Sequence, residues 1–294
     1  MNGILNLNKP EGHTSFDCVA ILRRLTGERK IGHTGTLDPQ ATGVLPVCIG
    51  QATRLLEFMD SAPKTYVCGC TLGLETDTQD IWGEIIRDRR PETASLTRGN
   101  VEKALGCFCG EIEQKPPVFS AVKVNGKKLY EYAREGRSVE IPVRRVTVHS
   151  IRLLDWQGPQ QPFTFEVVCS RGTYVRAICH DLGQMLGCGA CMSSLVRTQT
   201  CGYSIDQAVT LEDLRSMTAA QIEALLDPPE TAVSHLPRLE LNEEQAELFT
   251  NGNPVWSDGL TLSGEIQAVF QDNKLIGIVR DQKIAKVLLK GSSI

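Results

Sequence analysis

The most constraining feature of this sequence is a stretch rich in glycine and proline at residues 32–50. Four glycines and two prolines fall within these nineteen residues. Proline fixes its own φ angle and lacks an N–H donor, whereas glycine adopts backbone conformations that other residues avoid. Because a regular helix cannot pass through such a stretch, we expect most of it to be a constrained loop.

Hydrophobic periodicity predicts short strands and helices on both sides of this loop. Strands are predicted at residues 3–8, 64–72, 163–169, 274–280 and 283–289. Helices are predicted from Thr14 or Ser15 to Gly27, over residues 127–134, from Thr173 to Gly187, and from Asn242 to Phe249. An Asn125-Gly126 pair predicts a tight turn before the second of these helices. The mixture of strands and helices predicts an α+β fold.

Length and composition predict two domains. A chain of 294 residues corresponds to roughly two domains of about 150 residues. The Pro-containing segment at 226–230 marks a boundary between a larger domain at 1–230 and a small β-rich module at 231–294. No apolar run approaches the roughly 18 residues of a membrane span, and residues 1–12 lack the features of a signal peptide. We therefore expect no membrane association and a cytoplasmic location.

Charge is distributed unevenly along the chain. The formal net charge is −4, which argues against nucleic-acid binding through bulk positive charge. However, residues 115–152 hold nine Lys or Arg against three Glu, whereas residues 203–247 hold ten acidic residues against two Arg. A local basic surface is therefore available to an acidic partner such as RNA.

The eleven cysteines exclude a complete disulfide framework because their number is odd. Cys188 and Cys191 have the spacing of a zinc knuckle, but no second pair follows, and Cys201 alone does not complete a tetrahedral site. We expect small buried thiols in a reducing compartment, and no metal.

Asp38 is the strongest candidate for chemistry within the loop at 32–50. An Asp before a Pro is by itself most often a simple turn, because its side chain accepts a backbone N–H and the proline fixes the next φ angle. The surrounding glycines allow another backbone to approach closely, and Pro39 makes the position of the carboxylate rigid. Asp38 is therefore a candidate nucleophile or base.

This loop and other segments resemble the TruB family of tRNA pseudouridine-55 synthases. The matching blocks are residues 5–15 (LNLNKPEGHTS), 33–45 (HTGTLDPQATGVL), 64–66 (KTY) with Leu72-Gly73, 76–80 (TDTQD) with Gly83, 126–134 (GKKLYEYAR), 169–176 (CSRGTYVR) with 181–183 (DLG), and 195–198 (LVRT). Residues 251–255 (NGNPV) are similar to the family's C-terminal PUA-like module. One block could occur by chance, but this ordered series is specific.

The resemblance implies a pseudouridine synthase fold, with a central mixed, largely antiparallel sheet flanked by helices and a PUA-like RNA-binding module. It further implies that the chain isomerises a T-loop uridine of tRNA to pseudouridine, with no cofactor or metal. The target base must swing out of the folded RNA before a carboxylate can reach its ribose. Family likeness therefore makes the T-arm of tRNA the expected partner.

The resemblance also assigns roles to individual residues. Asp38 is the essential carboxylate, Arg176 its cationic partner, and Tyr66 the ring that stacks on the uracil near C5. Other positions are implied to bind or support the substrate. Asp80 lies behind Arg176, and Tyr174 and Leu195 form walls of the pocket. His33 is the ring that fills the gap in the RNA, Lys9 and Pro10 support the Tyr66 side of the pocket, and Lys127 and Lys128 contact phosphates. Without the resemblance, each has an ordinary structural explanation, such as a core tyrosine or a solvated arginine.

Three alternatives to this interpretation remain open. The chain could be a non-catalytic RNA-binding or RNA-folding protein on the same surface, although a pure binder has no use for a buried charged pair. It could be a metalloprotein built on its cysteines. Within the family, a related group works with guide RNAs and partner proteins, but this chain lacks long basic extensions. We therefore expect a stand-alone enzyme that is a monomer and has no obligatory protein partner.

Overall fold

The computed structural model describes residues 1–59, 62–260, 262 and 264–288. Within these ranges its strands are β1 Gly3–Lys9, β2 Ile31–His33, β3 Thr42–Ile49, β4 Lys64–Leu72, β5 Leu74–Thr76, β6 Ile85–Asp88, β7 Gly110–Gln114, β8 Lys123–Val124, β9 Lys127–Lys128, β10 Arg144–Asp155, β11 Phe163–Cys169, β12 Ala190–Thr200, β13 Tyr203–Ser204, β14 Val209–Thr210, β15 Arg238–Glu240, β16 Ile266–Gln271, β17 Lys274–Arg280 and β18 Lys283–Val287. The α-helices are α1 Ser15–Thr26, α2 Leu56–Met59, α3 Arg98–Gly106, α4 Leu129–Arg134, α5 Val175–Met185, α6 Leu211–Arg215, α7 Ala219–Glu223 and α8 Glu243–Thr250. None of the helices in these ranges is long and apolar enough to cross a membrane.

A ten-stranded sheet forms the centre of the molecule. Its main path runs β14-β1-β3-β12-β4-β11-β10-β7, with β2 added to β3 and β13 added to β12. The pairs β1–β14 and β3–β12 are parallel, and the remaining pairs in this sheet are antiparallel. The expected α+β class with a mixed, largely antiparallel sheet is confirmed.

Two groups of helices pack on the central sheet. Helices α3 and α5 pack on β4, β11 and β12 through an apolar cluster that includes Val101, Ile178 and Phe165. Helices α1, α6 and α7 cover β1 and β3 through a second cluster that includes Leu22 and Leu214. The predicted start of α1 is confirmed, because Thr14 is its N-cap in a capping box and Gly27 ends it in a left-handed conformation.

The prediction that most of residues 32–50 is loop was wrong for their second half. Thr42–Ile49 forms β3, which lies inside the sheet between β1 and β12. Every residue of β3 after Thr42 is buried, so an uninterrupted apolar run overrode the local effect of Gly43 and Pro46. The irregular part is limited to residues 34–41, the segment that contains Asp38.

Other boundaries differ from the predictions by a few residues. The Asn125-Gly126 turn is present with positive φ at both residues, but Lys127–Lys128 belongs to β9, and α4 begins at Leu129. Helix α5 begins at Val175 rather than Thr173. Strand β18 ends at Val287, and the predicted end at Leu289 lies outside the described residues.

The C-terminal residues form a separate four-stranded sheet in the order β15-β16-β17-β18. Helix α8 packs on it, and Phe249 meets Trp256 edge to face with ring centroids 5.1 Å apart. This sheet also shares an apolar cluster with the central sheet, in which Phe270 and Ile278 lie with Ile4. The expected small β-rich module therefore leans on the larger part, while a domain boundary at 230 stays a prediction.

Candidate active site

The turn that carries Asp38 is tied to the beginning of the chain. The Pro39 carbonyl accepts a hydrogen bond from the backbone N–H of Gly12 at 3.0 Å, and the Asp38 carbonyl accepts one from Ala41 at 3.1 Å. The backbone N–H of Leu37 donates to the Ser15 hydroxyl at 3.0 Å. These bonds hold the main chain on both sides of Asp38, so its carboxylate projects from a rigid turn.

Lys9 lies beneath this turn and is completely buried. Its Nζ donates to three carbonyl oxygens, those of Pro10 at 2.9 Å, His13 at 2.6 Å and Pro39 at 2.9 Å. Burial lowers the pKa of Lys9, and nearby acidic groups, Asp38 among them, oppose that shift. These hydrogen bonds support the Asp38 turn, which differs from the support for the Tyr66 side that the resemblance implied for Lys9 and Pro10.

Arg176 lies in the first turn of α5 and points under the Asp38 turn. Its Nε is 2.9 Å from the Asp38 carboxylate. Its Nη1 donates to the Thr78 carbonyl at 3.0 Å, and its Nη2 donates to the Phe119 carbonyl at 3.1 Å. The side chain is 6% exposed, which excludes the alternative of a solvated helix arginine. The guanidinium is thus held in three directions and brings a positive charge to Asp38.

Asp80 approaches Arg176 from a second side. Its Oδ2 lies 3.6 Å from Arg176 Nη1. Its Oδ1 accepts hydrogen bonds from the Thr78 hydroxyl at 2.7 Å and the Trp82 backbone N–H at 3.2 Å. Asp80 therefore stabilises its own turn and also places a second carboxylate beside the guanidinium.

Tyr66 and Leu195 line the apolar side of this region. Tyr66 on β4 and Leu195 on β12 are both buried, and they belong to the same cluster as Leu37, the residue before Asp38. Burial raises the pKa of the Tyr66 phenol above its ordinary value, and the positive charge of Arg197 opposes that rise. A buried phenol in the same cluster as Leu37 is placed to form a wall beside the Asp38 turn.

Tyr174 sits at the entrance to α5, two residues before Arg176. Its backbone is fastened to Gln114 of β7 by two hydrogen bonds, one from its N–H at 2.7 Å and one to its carbonyl at 3.0 Å. The structure therefore places Tyr174 near the site by its main chain, with the ring half-buried.

His33 lies at the end of β2, where the Asp38 turn begins. Its ring meets Phe16 edge to face, with centroids 5.6 Å apart and an interplanar angle of 90°. Phe16 is 73% exposed, although large apolar side chains are usually covered. The sequence analysis missed Phe16. The available signal was an aromatic residue on the polar side of α1, away from the buried Val19 and Leu22.

Lys127 and Lys128 lie on the β8–β9 hairpin and pack on tyrosines of α4. Lys127 Nζ is 5.1 Å from the ring centroid of Tyr132, and Lys128 Nζ is 5.4 Å from that of Tyr130. The Tyr130 backbone N–H donates a hydrogen bond to the carbonyl of Ser120. Ser120 is next in sequence to Phe119, whose carbonyl accepts the hydrogen bond from Arg176. The structure thus joins this basic hairpin to the active site through one short segment.

The cysteines do not assemble into a metal-binding group in the described part of the chain. No cluster of three or more His, Cys, Asp or Glu residues there has the geometry to hold an ion. All eleven cysteines are free thiols, and eight are buried, among them Cys188 and Cys191. The expectation of small buried thiols is confirmed for these positions, whereas Cys107 and Cys109 are exposed.

Comparison with solved structures finds chains with a similar fold. The chain superposes on a chain of the crystal structure of a Cbf5-Nop10-Gar1 complex with a TM-score of 0.73 and 25% sequence identity, covering 98% of this chain and 85% of that one. It also matches a chain of the archaeal box H/ACA sRNP Nop10-Cbf5 complex with a TM-score of 0.70 at 24% identity, covering 98% and 86%.

Comparison of sequences identifies the class as the pseudouridylate synthases. Residues 23–175 match the model of the TruB family pseudouridylate synthase N-terminal domain, and residues 176–234 match that of the tRNA pseudouridylate synthase B C-terminal domain. A protein of Geobacillus kaustophilus named tRNA pseudouridine synthase B is 49% identical over 86% of this chain and 90% of its own length. The protein of the same name from Streptococcus sanguinis is 44% identical over 97% of both chains. This chain belongs to the TruB family.

Proposed function

We propose that this chain is an isomerase that converts uridine to pseudouridine in tRNA, acting on the T-loop uridine at position 55. Family membership and the names of the relatives support the reaction and the substrate class. One observation of the structure carries the proposal further. A carboxylate on a rigid turn, Asp38, is paired at 2.9 Å with the buried guanidinium of Arg176.

The proposed reaction rearranges bonds within one nucleotide. The N1–C1′ bond of the uridine breaks, the uracil turns, and a C5–C1′ bond forms. The hydrogen at C5 leaves as a proton, and N1 gains a proton, so the product is an isomer and no oxidant, reductant or cofactor is consumed. Asp38 could add to the uracil ring, attack C1′ or remove a sugar proton, and each route needs an ionised carboxylate against the nucleoside.

Arg176 and Asp80 prepare Asp38 for this role. The guanidinium pairs with the Asp38 carboxylate through Nε, and its other nitrogens are held by two backbone carbonyls, so it cannot turn away. The Asp80 carboxylate lies near Nη1 of the same guanidinium and offsets part of its positive charge. The result is a charge pair whose geometry exists before the RNA arrives, which is the form of electrostatic assistance that costs least at the moment of reaction.

The base is held by the apolar side of the site. Tyr66 would stack on the uracil near C5, and Leu195 and Tyr174 would form the adjoining walls. Both Tyr66 and Leu195 are buried in the cluster that reaches the Asp38 turn. A dry wall on this side keeps water from the broken glycosidic bond while the uracil turns.

The rim of the site supports extrusion of the nucleotide. His33 would occupy the space that the uracil leaves, and the exposed ring of Phe16 braces His33 from the side. Extrusion costs a few kcal/mol of stacking, which an aromatic substitute partly restores. Lys127 and Lys128 would contact phosphates of the T-arm, since positive side chains on a hairpin suit backbone recognition by shape.

The remaining parts of the proposal concern assembly and location. A tRNA-modifying enzyme acts where tRNA is found, so we infer a cytoplasmic site of action. We expect a monomer that works without an obligatory protein partner and binds RNA also through a PUA-like module at residues 231–294. Sedimentation of the purified chain with and without tRNA tests this, and a stable dimer would contradict it.

The decisive experiment is release of the C5 hydrogen from tRNA labelled at that position. We expect Asp38→Asn to abolish release while tRNA binding stays nearly unchanged, because asparagine keeps the shape of the turn but not the charge. Asp206→Asn, at an exposed position, is the matched control and should behave as the parent. Appreciable turnover by Asp38→Asn would reject the assigned role. Binding without release in the parent protein would favour a non-catalytic RNA-binding protein.

A further inference from the structure

Arg197 is a buried cation that the proposed reaction does not yet use. It lies on β12, directly opposite Tyr66 of β4 and, on the other side, opposite Gly43 of β3. Its exposed fraction is 0%, and its Nε donates to the Val44 carbonyl at 2.7 Å. A Cβ atom on Gly35 would stand 2.9 Å from Arg197 Nη1, so the absence of a side chain there makes room for the guanidinium.

The two terminal nitrogens of Arg197 have no hydrogen-bond partner within the described residues. Burying a cation without compensation is costly, and an unsatisfied buried donor adds to that cost. The carboxylate of Asp38 is already engaged by Arg176. The residue that faces Arg197 in register on β4 is Tyr66, and the positive charge of Arg197 lowers the pKa of the Tyr66 phenol against the effect of burial.

We propose that Arg197 is a positioning residue that holds the Tyr66 hydroxyl at the uracil and stabilises negative charge on its oxygen during removal of the C5 proton. This inference rests on the proposed function. In that step the C5–H bond breaks and its electron pair forms the C5=C6 double bond. The bond displaced at C6 is its π bond to N1, whose electrons and a solvent proton give N1–H; on the ring-addition route it is the C6–O bond to Asp38, which leaves as a carboxylate. The C5 proton joins the phenolate oxygen of Tyr66, which becomes a neutral phenol. The phenolate forms beforehand by loss of the phenol proton to solvent.

The charged and titratable groups around Tyr66 act in opposite directions. Burial raises the pKa of the Tyr66 phenol most strongly, and Cys169 on β11 and Asp38 in its turn raise it further. Arg197 on β12 lowers it. Lys64 of β4 is a further cation on this side, since its stem packs at the same Gly35 as the Arg197 guanidinium. Removing Arg197 would leave the phenol surrounded mainly by influences that oppose its ionisation.

The test measures the ionisation of residue 66 without using activity. A fluorinated tyrosine, whose phenol is more acidic than that of tyrosine, is incorporated at position 66 and titrated by ¹⁹F NMR. We expect Arg197→Gln to raise the pKa of this residue by about 1–3 units, the usual effect of losing an opposite charge at close range. Arg197→Lys, which retains a cation, should leave the pKa within about half a unit of the parent value. An unchanged pKa in a folded Arg197→Gln protein would overturn the proposal.

A second measurement avoids any variant that fails to fold. In the parent protein, the guanidinium ¹⁵N resonances of Arg197 should shift as fluorotyrosine 66 ionises, and resonances that stay in place would also overturn the proposal.

A third experiment measures activity, as the rate of release of the C5 label at a series of pH values. Relative to the parent, Arg197→Gln should lose at least about tenfold at pH 7 and recover part of the loss at higher pH. If the NMR results hold but no variant or parent releases label, the proposed function fails and the Arg197–Tyr66 coupling stands.

Discussion

Replacing Arg176 with lysine tests whether the geometry of the cation matters or only its charge. The guanidinium makes three directed contacts, with the Asp38 carboxylate and with the carbonyls of Thr78 and Phe119. A lysine ammonium is a single point of charge on a shorter reach, so it cannot satisfy all three groups from one position. Either Asp38 or at least one carbonyl then loses its partner.

The magnitude follows from this count. An unsatisfied buried polar group costs about 1–3 kcal/mol, so two carbonyls without donors would lower the free energy of unfolding by about 2–6 kcal/mol, and by about half of that if lysine reaches one of them. For catalysis, a carboxylate displaced by about 1 Å commonly costs about 100-fold in rate. We therefore expect Arg176→Lys to fold with reduced stability and to release label at least about 100-fold more slowly than the parent.

The assay combines urea unfolding with single-turnover release of the C5 label at saturating enzyme. Arg152→Lys is the matched control, because Arg152 also pairs with a carboxylate, Glu166 at 3.0 Å, but its side chain is 67% exposed. An exposed pair contributes about 0–1 kcal/mol, so the control should match the parent in both measurements. A rate for Arg176→Lys equal to that of Arg152→Lys would show that directed pairing with Asp38 has no part in the reaction.

Three further variants test other parts of the site and fold. Tyr66→Phe should lose label release severely but keep tRNA affinity by filter binding, and parental rates would remove the hydroxyl from the chemistry. Gly43→Ala should lower the urea midpoint strongly, because its Cβ would lie 2.2 Å from a main-chain oxygen of β12, whereas Gly126→Ala, also at positive φ but in open space, should cost only about 1 kcal/mol. Phe16→Ala should reduce kcat/KM by about tenfold on tRNA and less on an oligonucleotide whose target uridine is already unstacked, and equal losses on both would contradict a role in extrusion.

Local sequence signals were sufficient where a segment's neighbours in sequence determine its structure. The N-cap of α1, its end at Gly27 and the Asn242 cap of α8 are all local features. The last two were predicted at the observed residue, and the N-cap was predicted at Thr14 or Ser15 and is Thr14. Strand β4 was predicted with its observed bounds because its alternation reflects one well-defined face. The pairing of Asp38 with Arg176 was also predicted, but only through the family resemblance.

The remaining features depend on contacts between distant segments. Strand β3 was missed because Gly43 and Pro46 have loop propensity, whereas their burial between two neighbouring strands is a property of the sheet. The same limitation applies to Arg197, which looks like any strand arginine until β3 and β4 enclose it. Lys9 was singled out, but its three carbonyl partners could not be predicted, since Pro39 is 30 residues away.

The way these contacts are distributed bears on what the RNA must supply. The groups around Asp38 come from β1, the turn before β3, the loop after β5, and α5, and most of their hydrogen bonds end on main-chain oxygens. Main-chain acceptors in a folded core do not move when a ligand binds, so the charge pair is formed in the free protein. The binding energy of the T-arm is then not needed to assemble the catalytic groups. It remains available for unstacking the target nucleotide, which is why we expect variants at the rim, such as Phe16→Ala, to depend on RNA structure while variants at Asp38 and Arg176 do not.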